Sequence, residues 1–597
     1  MKISGIIWGG ELPLLTLACK TQGIDHAFST STAARNPETL KKAITHLSTA
    51  DLFIIHPSTD SFWDDVIAQI PPGLPVIPIG YDQEGLSAST VPVPVAATAS
   101  AYYIYGGEKN LDNLIRYLRS EILHEEIPYE PPEPAVWDGI YHPDASQVYP
   151  DPEEYFRWLK REHTSTIGIL FYRLYWANRD LKVIDALIRR LEQDHNVIAV
   201  FCIGTGDADL GARTGQEVID SFFSGRVDLL INLQSVTLSR NPKETVEGLK
   251  NLNVPILHPV IIYNRTKEDW VQDSGGLTAS EVGWAIVIPE FMGMTSMVPI
   301  GVRSPHDPAM GVTEWHDPLP ERINRLCTLV SGWVRLKNKH PADRKVAFIL
   351  NNSPCASIEA TVGTAAHLDA LESVARILHI LKQAGYSVTP PADGKELITT
   401  ILDKKALSEF RWTSVAETVA KGGALALLGP EIWMPWIQSL PQGLQDQLRE
   451  TWGNPPGEEK DGVPAGMIYD GKIVITGIRY GNALVMTQPK RGCAGARCDG
   501  QVCKILHDPQ IPPPYQYLAT YQYLVKEFQA DAIIHVGTHG TLEFLPGKSV
   551  TLSESCLPDA VLGPVPYLYI YNTDNPPEGT IAKRRTQATL IGLCSQS

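Results

Sequence analysis

The sequence has no unbroken apolar run of about 18 residues, so no segment is expected to span a membrane. It is also short of basic charge. Lys and Arg number 51 against 67 Asp and Glu, a formal net charge of −16, which argues against a general binder of nucleic acid or anionic membrane. Cysteine is sparse, nine in 597 residues. In a chain of cytosolic character these read as thiols or occasional ligands, not as a disulfide framework. The opening MKISGIIWGGELPLLTLACK lacks the basic run and continuous apolar core of a signal peptide, because Glu11 interrupts it. It reads as a strand, a Gly turn and a helix, and the expected location is the cytoplasm.

What remains is an ordinary globular composition, 43% hydrophobic and 20% charged, and the length suggests roughly three to five domains. The 46 Pro and 47 Gly fit many loops between compact units. Residues 1–124 alternate short apolar runs (KISGIIWG, DLFIIH, PVIPIG) with helical patterns. In NLDNLIRYLRSEIL, Leu111, Leu114, Ile115, Leu118 and Ile122 share one face and Asn110 is placed to cap it. Residues 125–163 are rich in Pro and acid and read as an extended connector. A second α/β domain follows over 164–342, with strands at TIGILF, NVIAVFCIG, VDLLINL and VPILHPVII and a helix at LKVIDALIRRLEQD. The turn IGTGD lacks the full G-x-G-x-x-G, so it reads as a tight connection rather than a dinucleotide site. A third α/β unit is expected over 343–454. Its helix LDALESVARILHILKQAGY has Asp369 and Glu372 in a capping-box pattern, Gly385 at the C-cap, and His379 as a packed histidine. Such alternation gives an α/β class, several Rossmann-like or flavodoxin-like parallel-sheet units joined by Pro-rich linkers.

In the last section, over 455–597, DAIIHVGTHG reads as a buried strand opening into a Gly-rich loop, where ligands of open α/β sheets bind. The continuation LEFLPGKSVTLS ends like a phosphate-binding loop. However, G-x-x-x-x-G-K-[S/T] needs a glycine at Leu542, and Glu543, Phe544, Leu545 and Pro546 are acidic, bulky or without an N–H. The nucleotide reading fails. The same loop offers His535, His539 and Glu543, groups that suit borderline divalent metals and can move protons near neutral pH. The other reading puts His535 in the strand's core and leaves Glu543 as a solvated loop residue.

The stretch ADAIIHVGTHGTLEFLPGKSVTLSESCLPDAVLGPVPYLYIYNTDNPPEGTIAKRRTQATLI resembles the signature region of the large subunits of ATP-dependent tetrapyrrole metal chelatases. That family comprises CobN-type cobaltochelatase and the magnesium chelatase H-type large chain. NNSPCASIEATVGTAAHLDALESVARILHILKQAGY and VIPEFMG fit as well. GNALVMTQPKRG and HDPQIPPPYQYLATYQYL are more similar to the cobaltochelatase branch. The resemblance implies that 455–597 begins the signature domain, incompletely, as expected either of a split gene whose separate C-terminal polypeptide completes it or of a truncated product. It implies a ligase-type reaction: Co2+ as substrate ion enters a corrin precursor, of the hydrogenobyrinic acid a,c-diamide type, in cobalamin biosynthesis. AAA+ partner subunits would hydrolyse the ATP, in keeping with the missing phosphate loop. Alternatives are Mg2+ insertion into protoporphyrin IX, removal of metal from haem or a corrinoid, and a non-catalytic tetrapyrrole-binding protein.

Glu543 is then the expected base, with His539 and His535 beside it, and His539 and Glu543 as transient ligands of the ion. Lys583, Arg584 and Arg585 either pair with the macrocycle's carboxylates or form a solvated basic turn. Lys548 is a further substrate-binding candidate. Separately, Cys493, Cys498, Cys503 and His507 follow the spacing C-x4-C-x4-C-x3-H. They read as loop thiols or as ligands of Zn or an Fe–S cluster, although neither uses that spacing as standard.

Overall fold

The structure is a computed structural model. It describes all residues except 59, 81–86, 135, 161–162, 240, 306–314, 353–361, 366, 409–412, 460–465, 492–509, 539, 574–575 and 594–597. It is an α/β protein built on several mainly parallel sheets. In the first unit, Lys2–Ile7, Asp25–Thr30, Leu52–Ile55 and Val76–Pro78 form one parallel sheet in the order second, first, third, fourth. Asn110 does not cap the following helix, Glu108–Glu121; Gly107 does. The Asn110 carboxamide instead bonds Gly106 O (2.9 Å) and both backbone groups of Glu133, tying the next segment to the first unit.

Residues 125–163 are more than a connector. Gly139–Tyr141 pairs antiparallel with Asn196–Cys202, and Pro152–Leu159 is a helix capped by Asp151, which accepts from Glu154 N at 2.9 Å. Proline at the first helical position favours a helix, so Pro-richness misleads there. The second unit's five-stranded sheet runs Gly139–Tyr141, Asn196–Cys202, Thr166–Tyr172, Leu229–Asn232, Ile256–Leu257. VPILHPVII is not one strand, because Val260–Ile262 opens a separate three-stranded sheet with Pro299–Arg303 and His316–Pro318.

The largest sheet has six strands in the order Ile478–Tyr480, Ala483–Thr487, Val346–Leu350, Ala532–Val536, Tyr567–Asn572, Thr589–Leu593. All but the first pairing are parallel. A boundary at 454/455 therefore cuts through one sheet, since Val346–Leu350 lies between two strands from beyond it. Asp369 caps Ala370–Gln383 as expected, accepting from Glu372 N at 3.0 Å. His379 is not packed; it is exposed, with Nε2 2.8 Å from Pro391 O. Among the described residues no helix is long and apolar enough to cross a membrane.

Candidate functional site

The strand Ala532–Val536 occupies the interior of the six-stranded sheet, and His535 lies in register with Ile349 on one side and Tyr569 on the other. At its carboxyl end the chain turns at Gly537, with φ +123°, where a Cβ would lie 2.8 Å from Thr364 O and 2.9 Å from Asn351 Cβ. Only glycine fits that turn. Carboxamides at the ends of both strands on one side then hold the loop. Asn351 donates to Thr538 O, and Gln488 Oε1 accepts from Thr541 N at 3.0 Å. Gln488 is itself held by the hydroxyls of Tyr517 (3.3 Å) and Tyr521 (3.1 Å) on the helix Tyr515–Gln522.

This framework buries Glu543, 1% exposed, rather than leaving it solvated. Burial pushes its carboxyl up to about 7, and the charge of Glu578 adds to the effect. The Tyr569 hydroxyl lies 3.4 Å from Glu543 Oε1, donates to Glu578 Oε1 at 2.5 Å, and accepts from Gly540 N at 3.3 Å. Two buried carboxyls thus share one phenol. His535 is fully buried, its ring centre 4.6 Å from that of Tyr569, and neither ring nitrogen has a hydrogen-bond partner among the described residues. Burial pushes its pKa down to about 3, so the imidazole is neutral at physiological pH. Gly540 permits the arrangement: a Cβ there would lie 2.9 Å from both Glu543 carboxylate oxygens and 3.1 Å from His535 Cε1. Tyr569 and Glu578 were not among the residues expected from sequence. The alternation in YLYIYN, which sets Tyr567, Tyr569 and Tyr571 on one face of a strand, was the available signal for the first.

The basic residues do not form a solvated turn; Lys583, Arg584 and Arg585 lie on the helix Pro576–Thr586. Each of the three already has a partner within the protein. Arg584 makes a forked pair with Glu290 of the second unit (2.9 and 2.6 Å). Arg585 donates to the carbonyls of Glu543 (2.6 Å), Leu545 (2.7 Å) and Lys548 (3.0 Å). The Lys548 ammonium reaches Val271 O at 3.0 Å and also Asp273 O, and burial lowers its pKa. Lys583 is the least committed, with Glu290 O at 3.4 Å.

No phosphate cradle exists at Gly547–Lys548–Ser549. The N–H groups of Lys548, Ser549 and Val550 go to Cys556 Sγ, Ser274 O and Gly275 O. His539, Cys493, Cys498, Cys503 and His507 lie outside the described residues. Among the described residues no group of three or more His, Cys, Asp or Glu is arranged to hold a metal ion.

Comparison with known proteins gives this loop its context. Residues 100–595 match the family model described as CobN/Magnesium Chelatase. An uncharacterized protein of Methanocaldococcus jannaschii is 45% identical over 512 residues, 83% of this chain and 40% of that protein. The H-type chain of the magnesium chelatase of Rhodobacter capsulatus is 30% identical over 519 residues, 82% of this chain and 40% of that one. The solved catalytic subunit of cobaltochelatase from Mycobacterium tuberculosis superposes with a TM-score of 0.67 at 26% identity, covering 99% of this chain and 47% of that one. The chain spans about two fifths of the length of the curated relatives it matches. It belongs to the CobN/magnesium chelatase family.

Proposed function

We propose that this chain binds a tetrapyrrole and takes part in inserting a divalent ion into it, with Glu543 as the base that removes the pyrrole protons. One observation carries the reading: a carboxyl beyond the carboxyl end of a sheet-interior strand, held by burial at about 7. Such a group both takes and releases a proton near neutral pH. Tyr569 and Glu578 hold its carboxyl in place through the shared hydroxyl. The neutral imidazole of His535, without a hydrogen-bond partner among the described residues, suits a transient contact with the incoming ion, with His539 as a second. Lys583 is the basic group with most capacity left for a macrocycle carboxylate.

The specific reading is Co2+ and a corrin precursor of the hydrogenobyrinic acid a,c-diamide type. The cobaltochelatase-like segments of the sequence and the likeness to the solved cobaltochelatase subunit support it. The likeness to the H-type chain of a magnesium chelatase supports Mg2+ and protoporphyrin IX as the second reading. In either case AAA+ subunits would hydrolyse ATP.

The test is an absorbance titration of the chain with both macrocycles. Co2+ or Mg2+ is then added with ATP, the AAA+ subunits and the region of a longer relative that lies outside the matched part. Tight binding of one macrocycle and its metallation are expected, with Glu543→Gln lowering turnover roughly a hundredfold or more while binding persists. No binding of either macrocycle overturns the proposal, and wild-type turnover in Glu543→Gln removes Glu543 as the base.

A further inference from the structure

A cleft of about 270 Å³, lined by neither Glu543 nor His535, lies between the helices Pro320–Asn338, Pro430–Gln438, Tyr515–Gln522 and Leu557–Leu562. Leu518, Ala519 and Gln522 line it, whereas Tyr517 and Tyr521, on another face of the same helix, hold Gln488 beneath the loop. The cleft is therefore separate from the candidate catalytic centre, and its walls combine aromatic and aliphatic side chains with charged and polar ones.

Its charges are unequally committed. Arg322 is satisfied by Glu321, by Asp559 at 2.7 Å and by Leu552 O at 3.2 Å. Arg325 spends only Nε, which lies 2.7 Å from Asp559 Oδ1 but out of line for a hydrogen bond. Its two outer nitrogens have no acceptor among the described residues. Lys526, on the exposed rim, has its ammonium 5.7 Å from the ring centre of Trp436 and no carboxylate partner among the described residues. Trp433, 1% exposed, has an indole N–H with no acceptor among the described residues. On the acidic side, Asp559 and Glu321 are taken up by the two arginines, and Glu554 stands exposed at the edge. The spare donors of the cleft are thus the guanidinium of Arg325 inside, the ammonium of Lys526 on the rim and the neutral indole N–H of Trp433, set beside an aromatic wall.

We propose that this cleft binds a small organic anion with an aromatic or apolar body, its carboxylate held by Arg325 and Lys526 and its body against Trp436. The planar guanidinium fork matches a carboxylate in two parallel hydrogen bonds. Partial burial, which already weighs against the charges of Arg325 and Lys526, strengthens an ion pair formed there. An occupant shares Arg325 with Asp559, so binding bears directly on the ion cluster that holds Leu552 at the end of the catalytic loop.

Isothermal titration calorimetry on the full chain tests this without any turnover, using benzoate, acetate and benzyl alcohol as probes. Benzoate should bind in the millimolar range or tighter, with acetate and benzyl alcohol at least tenfold weaker. Arg325→Met and Lys526→Met should each weaken benzoate about tenfold. Because Arg325→Met also strips a partner from Asp559, Lys526→Met on the exposed rim carries the test if the first variant fails to fold. The absence of benzoate binding at millimolar concentration, equal affinity for benzyl alcohol, or unchanged affinity in Lys526→Met overturns the proposal.

Discussion

Burial drives Glu543 and His535 towards neutrality from opposite sides, one carboxyl raised to about 7 and one imidazole lowered to about 3. The consequences for stability have opposite signs. The folded carboxyl of Glu543 binds its proton more tightly than the unfolded one, so its contribution is complete below about 4.5 and is lost as pH rises to about 7. That loss is on the order of 3 kcal/mol. His535 contributes stability that is present above about 6.5 and is lost as pH falls towards about 3. Between these limits the two effects oppose each other and mask one another in the wild type. Glu543→Gln removes one of them. Thermal melts should show the variant more stable than wild type at pH 8, with the two converging towards pH 5. A constant difference across that range would contradict the assigned environment of Glu543.

At the scale of elements, the described residues of the loop from Gly537 to Cys556 have almost no regular structure, and their shape comes from groups outside the loop. Arg585 alone satisfies three of its carbonyls. Arg585→Met would leave the acceptors of Glu543, Leu545 and Lys548 without that donor, at about 1–3 kcal/mol for each one left unsatisfied. The expected result is a lower melting temperature and faster limited proteolysis between residues 537 and 556, with wild-type resistance as the contrary outcome. What could be read in advance follows the same division. DAIIHVG announced its strand and its turn, because alternation and glycine chemistry are local. The frame of the loop was not legible, because Asn351, Gln488 and Tyr569 reach it only through sheet pairing, and Tyr569 lies 26 positions from Glu543. The role of Pro152 in starting a helix was masked by a composition that reads as linker. The KRR run was visible as charge, but Glu290, which holds Arg584, lies 294 positions away.

Across the whole molecule, polar links join the second unit to the unit built on the six-stranded sheet, among them Lys548 on the 271–273 turn, Arg584 on Glu290, Arg335 and Lys339 on Asp531, and Asp559 between Arg322 and Arg325. The last is the most buried, with Asp559 3% and Arg322 3% exposed at their side chains. Asp559→Ala would leave two guanidiniums without their shared carboxylate, a change that costs about 3–5 kcal/mol when a buried pair is broken. Scanning calorimetry should then resolve separate melting of the second unit and the six-stranded sheet, where the wild type melts more cooperatively.

The order of strands in that sheet also governs how the chain comes together in time. Val346–Leu350 finds its neighbours only in Ala483–Thr487 and Ala532–Val536, and Asn351 grips Thr538 across 187 positions. During synthesis this strand leaves the ribosome long before either neighbour exists, with both backbone edges and a fully apolar sequence unprotected. Long-range parallel pairing of this kind is slow and exposed to aggregation. Until Val536 has emerged, the nascent chain is therefore expected to carry an apolar segment exposed to aggregation.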